Sequence, residues 1–225
     1  IMILQNCKLT YFNLPGRGEA ARIALSIGNI KFIDDRVQFS QWKEMKPSTP
    51  WGSLPILTLS DGTVIAQQRA ILRLIGKETG LYPNDAIAAA KVDELMDATE
   101  EVIAAVPVAG KGLPQDKLEE ARRVACAEGG AVFRILKNID GTLAAKSGCY
   151  AVGETLTIAD FIIFCYVNTL VGGNFDGVPA DAHARFDNIC ALCRAVRSHP
   201  AVCRWYDSLD ASIFVPECFS TISEN

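Results

Sequence analysis

The sequence predicts a small mixed α/β unit followed by an all-helical unit. Three observations carry this. Strand and helix patterns alternate only up to about residue 80, helical spacing takes over from about Ile87, and the polar pair Asn84-Asp85 stands between the two patterns. The boundaries that follow are 1–83 and 86–225.

Ile3–Phe12 is apolar and rich in β-formers, so it reads as a strand. Pro15-Gly16-Arg17-Gly18 is a turn, and Glu19–Ile27 then has helical spacing. Phe32–Val37 is a second strand, and Trp42 and Lys46 lie four apart in a loop region before Pro55. Leu54–Leu59 and Thr63–Ala66 flank the turn signal Ser60-Asp61-Gly62 and read as a hairpin. Gln68–Lys77 is a helix stopped by Gly80 and Pro83. The order is strand, helix, strand, helix, strand, strand, helix. A strand-helix-strand unit favours parallel pairing and the late hairpin favours antiparallel pairing, so a mixed four-stranded sheet with helices on its faces satisfies both.

The second unit reads as helix throughout. Ile87–Val106 is long and Ala-rich, and Pro107, Gly110, Gly112 and Pro114 interrupt it. Helix resumes over Gln115–Lys146, weakened near Gly129-Gly130, and returns at Thr157–Thr169, Arg185–Ser198 and Ala201–Leu209. Thr157-Ile158-Ala159-Asp160 fits a capping box, with Leu156 and Phe161 placed for a hydrophobic staple. That signature speaks for folding rather than chemistry. Asp93, Glu94, Asp97, Glu100 and Glu101 make one helix acidic, and the pattern predicts a solvated acidic face.

Composition excludes several classes. The chain has 225 residues, nearly half of them apolar, and a formal charge of −4 with no basic tract, which argues against nucleic acid. No apolar run is long enough to span a membrane, and Ile1–Asn6 lacks the basic-then-apolar plan of a signal peptide, so the expectation is a cytoplasmic protein. The eight cysteines are scattered through apolar strand and helix patterns, with only two histidines and no zinc spacing. They read as reduced packing residues, Cys190 and Cys193 included, and no metal site is predicted.

A sheet unit joined to a helical one leaves a cleft between them, where ligands tend to bind. Tyr11 ends the first strand, just before the Gly-rich turn. Such a Tyr is commonly a packed core residue; the functional alternative needs a partner for a phenol, and a thiol is one, because a protonated Tyr can donate to a thiolate. Pro55 at a strand start lacks a ladder donor and suggests an edge or a cis bond, which would expose the preceding backbone to an extended peptide. Gln67-Gln68 opens a helix whose free N–H groups suit a carboxylate. Trp42 offers an indole donor and Lys46 a cation, either of which also occurs as an ordinary loop residue.

Here the pattern resembles a known family. Leu9-Thr10-Tyr11-Phe12-Asn13 with Gly16-Arg17-Gly18-Glu19, Trp42-x-x-x-Lys46, Leu54-Pro55-Ile56-Leu57 before Asp61-Gly62, Gln67-Gln68-x-Ala70-Ile71, and Gly153-x-x-x-Thr157-x-Ala159-Asp160 are similar to cytosolic glutathione transferases with a Tyr active site. The similarity spans nearly the whole chain and leans to the sigma class, which includes prostaglandin D synthases and the S-crystallins. The resemblance implies a thioredoxin-like first domain, an all-helical second domain and a homodimer. It implies that Tyr11 donates to the glutathione sulfur and that Arg17 helps to stabilise the anion. Trp42 and Lys46 would bind the glycine carboxylate. Gly52, Ser53 and Leu54, before a cis Pro55, would pair with the cysteinyl backbone. Gln67 and Gln68 would hold the γ-glutamyl end, with Asp97 reaching its ammonium from the neighbouring subunit. Phe12, Leu14 and Val108 would line the electrophile pocket. Glutathione is then a co-substrate, and no metal is required.

Departures from the family pattern bear on function. Gln68 replaces the usual Ser, so a backbone N–H and a longer amide must substitute for a hydroxyl. Val108 stands where prostaglandin D synthases place a Trp, which argues against prostaglandin isomerisation. The tail beyond Asp210, with Cys218 and Phe219, is expected to cover the second-substrate pocket. The reading is conjugation of glutathione to apolar electrophiles. The alternatives are a glutathione-dependent isomerase of prostanoids or other lipids, and a structural or ligand-binding protein on the same scaffold. A thioredoxin-type oxidoreductase needs a Cys between Asn13 and Gly16, where none stands.

Overall fold

The computed structural model describes residues 2–145 and 148–210. Lys146, the expected end of one helix, and Cys218 and Phe219 of the tail lie outside the described residues.

Four strands form one mixed sheet in the order β2-β1-β3-β4. Strand β1 (Cys7–Phe12) runs parallel to β2 (Phe32–Val37), with Cys7 opposite Phe32 and Tyr11 opposite Arg36. On its other side β1 pairs antiparallel with β3 (Ile56–Thr58), Leu9 opposite Leu57, and β3 turns back to β4 (Val64–Ala66). The two opposed pairing modes predicted from sequence thus coexist in one sheet. The strands are shorter than predicted: Met2–Leu4 is a 3-10 turn rather than strand, and β3 starts two residues after Leu54.

Helices α1 (Glu19–Ile27) and α3 (Gln68–Thr79) pack together on the sheet. Between β2 and β3 lies α2 (Phe39–Met45), continued by a 3-10 turn over Lys46–Ser48. Trp42 and Lys46 therefore sit on helical turns, not in a loop. The helix has no buried residue, so no apolar stripe marks it, and Gln38 and Gln41 cap it where Ser, Thr, Asp or Asn would be the usual signal.

The helical half comprises α4 (Ala86–Val108), α5 (Gln115–Cys126), α6 (Ala131–Ala144), α7 (Ile158–Val171), α8 (Asp187–Ser198) and α9 (Pro200–Asp207). No strand follows β4 among the described residues. Pro107 was expected to end α4, but it lies within the last turn: it withholds the N–H that would reach the Ile103 carbonyl, and the helix runs only one residue further, to Val108. Gly130 separates α5 from α6; a Cβ there would come within 2.3 Å of the carbonyls of Val124 and Ala125.

Helix α7 is the centre of this half. Every residue from Ile158 to Asn168 is buried, which suits a helix apolar on all sides. The Thr157–Asp160 capping box forms: the Asp160 carboxylate accepts from the Thr157 N–H at 2.7 Å and from the Ala151 N–H at 2.6 Å. Leu156 and Phe161 are both buried. Helix α1 packs against α7 and α9, so one continuous apolar core joins the two halves and fixes the seam between them.

Candidate functional site

Tyr11 lies at the end of β1, 7% exposed, with its hydroxyl accepting from the backbone N–H of Arg17 at 3.0 Å. The turn that supplies this N–H closes on the ring. A Cβ on Gly16 would lie 2.7 Å from the Tyr11 hydroxyl, and one on Gly18 would lie 2.6 Å from ring carbon Cδ1. The Gly-x-Gly of the turn is therefore a packing requirement of the phenol. Burial pushes the Tyr11 phenol above its ordinary pKa, opposed by the Arg17 N–H and by the charges of Arg17 and Arg22. The hydroxyl keeps its proton near neutrality and has it free to donate.

A buried charge network underlies the turn. Arg22, fully buried, donates to Asp34 at 2.8 Å, to Glu19 at 3.1 Å, and to the carbonyls of Leu14 at 2.9 Å and Phe12 at 3.2 Å. Its guanidinium also sits 5.7 Å from the centre of the Tyr11 ring. Glu19 in turn accepts from the Trp205 indole N–H. The backbone on both sides of Asn13 is thereby tied to α1 and α9. Sequence reading missed Glu19, Arg22 and Trp205. The available signal was two charges, Glu19 and Arg22, on the apolar face of a helix that has to be buried.

A cavity of about 310 Å³ opens beside this point, lined by Arg17, Ser53, Leu54, Gln67, Gln68 and Arg69 among others, with Pro55, Arg73 and Glu100. The Leu54–Pro55 bond is cis, as expected. Gln67, at φ 74°, caps α3, and Gln68 is its first residue, so the free N–H groups at the start of that helix border the cavity. Of the predicted glutathione-binding residues, Arg17, Ser53, Leu54, Pro55, Gln67 and Gln68 meet here.

The remaining candidates lie elsewhere. The Trp42 ring is edge-on to Phe12 at 5.5 Å, and Phe12 stacks on Phe39 at 4.7 Å. The Lys46 side chain passes over Gly52, its Cε 3.5 Å from where a Cβ on Gly52 would stand. Leu14 packs by Gly16, while Val108 is 71% exposed and is not among the residues that line the cavity.

The acidic helix is solvated only in part: Glu94, Asp97 and Glu101 are exposed, but Asp93, Asp97 and Glu100 are paired. Asp93 accepts from Arg73 at 2.8 Å and from the Tyr82 hydroxyl at 3.0 Å, and Asp97 pairs with Arg69 at 2.6 Å. Glu100 pairs with Arg17 and accepts from the Tyr166 hydroxyl at 2.7 Å. Asp93, Asp97 and Glu100 thus face the arginines of α3 and of the Tyr11 turn, while Glu94 pairs with Lys91 of its own helix. Tyr166, 1% exposed on α7, also hydrogen-bonds Gln68 and was not foreseen.

Seven described cysteines are free thiols. Burial pushes Cys7 up to about 11 and Cys193 up to about 12, so these are packing groups rather than nucleophiles. No described helix is long and apolar enough to cross a membrane.

Residues 110–208 match the family model "Glutathione S-transferase, C-terminal domain". The chain is 32% identical over 202 residues to hematopoietic prostaglandin D synthase of Gallus gallus, covering 90% of this chain and 96% of that one. It is 35% identical over 160 residues to glutathione S-transferase 1 of Ascaris suum, covering 69% and 76%. Among solved structures, the glutathione S-transferase of Ascaris lumbricoides superposes with a TM-score of 0.75 at 28% identity, covering 93% of this chain and all of that one.

Proposed function

The chain belongs to the glutathione S-transferase family, and from that premise we propose that Tyr11 donates its proton in a hydrogen bond to the sulfur of bound glutathione and holds it as the attacking thiolate. The enzyme is a glutathione transferase that joins the glutathione thiol to apolar electrophiles. One observation carries the mechanism: a buried phenol at the carboxyl end of β1 that stays protonated and already accepts from the Arg17 N–H, so that its own O–H is left to donate. A free thiol, with a pKa near ~8.5, is only a few per cent ionised at neutrality. Lowering that pKa by about two units takes roughly 2.7 kcal/mol, within reach of one hydrogen bond to an anion with help from the Arg17 charge.

The cavity would take the amino-acid end of the tripeptide. Arg17, Arg69 and Arg73 with the free N–H groups at the start of α3, that of Gln68 included, offer an anion's partners, while Gln67 and Glu100 offer acceptors for an ammonium. The Ser53–Leu54 backbone ahead of Pro55 would pair with the cysteinyl peptide, and Gly52, Trp42 and Lys46 would close on the glycine carboxylate. In a homodimer Asp97 would reach the γ-glutamyl ammonium of the neighbouring site, giving up its own Arg69. Phe12, Leu14 and Val108 would border the electrophile, and the protein would work in the cytoplasm, as a sigma-class enzyme without metal. Prostaglandin isomerisation is the second reading, favoured by the 32% identity to a prostaglandin D synthase.

The test is direct. The purified protein should be retained on immobilised glutathione and conjugate a chlorodinitroarene. Retention without turnover on aryl halides or prostaglandin H would instead favour a ligand carrier.

A further inference from the structure

Tyr166 is buried on α7, between α3 and α4, and three side chains converge on its hydroxyl: Gln68 from α3, Glu100 from α4 and Arg17 from the Tyr11 turn. A phenol has one proton to give and two lone pairs to receive. Two acceptors face that one proton, Gln68 Oε1 and Glu100 Oε2, and the carboxylate, being charged, is the stronger. In the same arrangement the Gln68 Nε2 is buried with no partner among the described residues. A half-turn of the amide answers both difficulties. The NH2 then donates to the phenol oxygen, and the carbonyl takes the buried place, where an unmatched acceptor is more often tolerated than an unmatched donor.

We infer that Tyr166 is a positioning residue supplied by the helical half: its hydroxyl donates to Glu100, accepts from a Gln68 amide turned NH2-inward, and shares Glu100 with Arg17 so that the Arg17 charge stays beside Tyr11. The inference rests on the glutathione reading for its catalytic consequence but not for its geometry. The charges facing Tyr11 are Arg17 and Arg22, which favour an anion there, and Glu100, which opposes one. With the Tyr166 proton on Glu100, part of that opposing charge is engaged. Without it, Glu100 draws on Arg17 alone.

Two variants test this. In Tyr166→Phe the apparent pKa of the bound glutathione thiol, read from thiolate absorbance of the complex against pH, should rise by about one unit, a roughly tenfold loss of thiolate on its acid side. A purely packing role for the hydroxyl would leave that value unmoved, and an unchanged value overturns the inference. Gln68→Glu tests the geometry without any ligand. A carboxylate there competes with Glu100 for the one phenol proton, so the variant should melt below the parent at pH 7 and recover toward it near pH 4. Melting at or above the parent at pH 7 would overturn the placement of Gln68 and Glu100 on one phenol. Should the parent protein bind no glutathione, the glutathione reading fails, and the melting comparison still decides the geometry.

Discussion

Trp205 donates its indole N–H to Glu19 at 2.9 Å, joining the last described helix to the first across the whole chain. Both residues are buried, and Glu19 is the ion-pair partner of the fully buried Arg22. Arg22 in turn holds the carbonyls of Phe12 and Leu14. The indole therefore completes the shell of a charge network whose other end is the backbone that positions Tyr11.

Trp205→Phe keeps most of the ring volume and removes the donor. It takes one of the hydrogen bonds from the buried Glu19 carboxylate, which should cost about 1–3 kcal/mol in a urea melt. Arg22→Leu goes further: it leaves buried Glu19 with no cation and Asp34 with Arg36 alone, so it should cost more, about 3–5 kcal/mol. If the two variants were equally stable, the network would not be the coupled unit described.

Tyr11→Phe should lower turnover while leaving affinity for glutathione largely unchanged. A hydrogen bond to a charged group is worth about 1.5–3 kcal/mol, so the loss in kcat is expected between roughly tenfold and a hundredfold. The thiolate absorbance of the glutathione complex should weaken in parallel. Full turnover in the variant would refute the role given to Tyr11.

Most of the fold was legible from local pattern. The helix over Glu19–Ile27 and the strand over Phe32–Val37 have the predicted bounds because their apolar spacing and punctuating glycines agree. Helix α2 stands where the predicted order has a helix, between the second and third strands, but its bounds escaped because Phe39–Met45 buries nothing and so has no apolar period to read. In the site, Tyr11, Arg17, Pro55, Gln67 and Gln68 were visible as motif residues near turns. Tyr166 and Glu100 were not: Tyr166 meets Gln68 from 98 residues away, and nothing local in the apolar run of α7 distinguishes a packed Tyr from one that reaches the seam. The pairing of Asp97 and Asp93 was hidden for the same reason, since Arg69 and Arg73 reach them from another helix.

Gly18→Ala isolates packing from backbone strain. Its φ of −85° and ψ of −26° suit alanine, so any effect must come from the added methyl meeting the Tyr11 ring. The ring cannot retreat far, because it is buried and lies over Arg22. The variant should lose about 1–3 kcal/mol of stability and most of its turnover. Alanine with unchanged kcat would mean that the phenol tolerates displacement and that its placement is not set by this turn.

The last prediction concerns alkaline pH. All five tyrosines, Tyr11, Tyr82, Tyr150, Tyr166 and Tyr206, have phenols pushed above their ordinary pKa, with burial the first cause in each. Above about pH 10 the unfolded chain releases these protons while the folded protein retains them. The unfolded state then binds fewer protons, so stability falls as pH rises, and the contribution is fully present below that pH. Cys7, pushed up to about 11, adds the same trend from nearer pH 9. Urea midpoints should therefore decline from pH 9 to pH 11, and tyrosinate absorbance of the folded protein should lag that of the protein in denaturant. Coincident titration of folded and unfolded protein near pH 10 would show that the phenols are not buried as described.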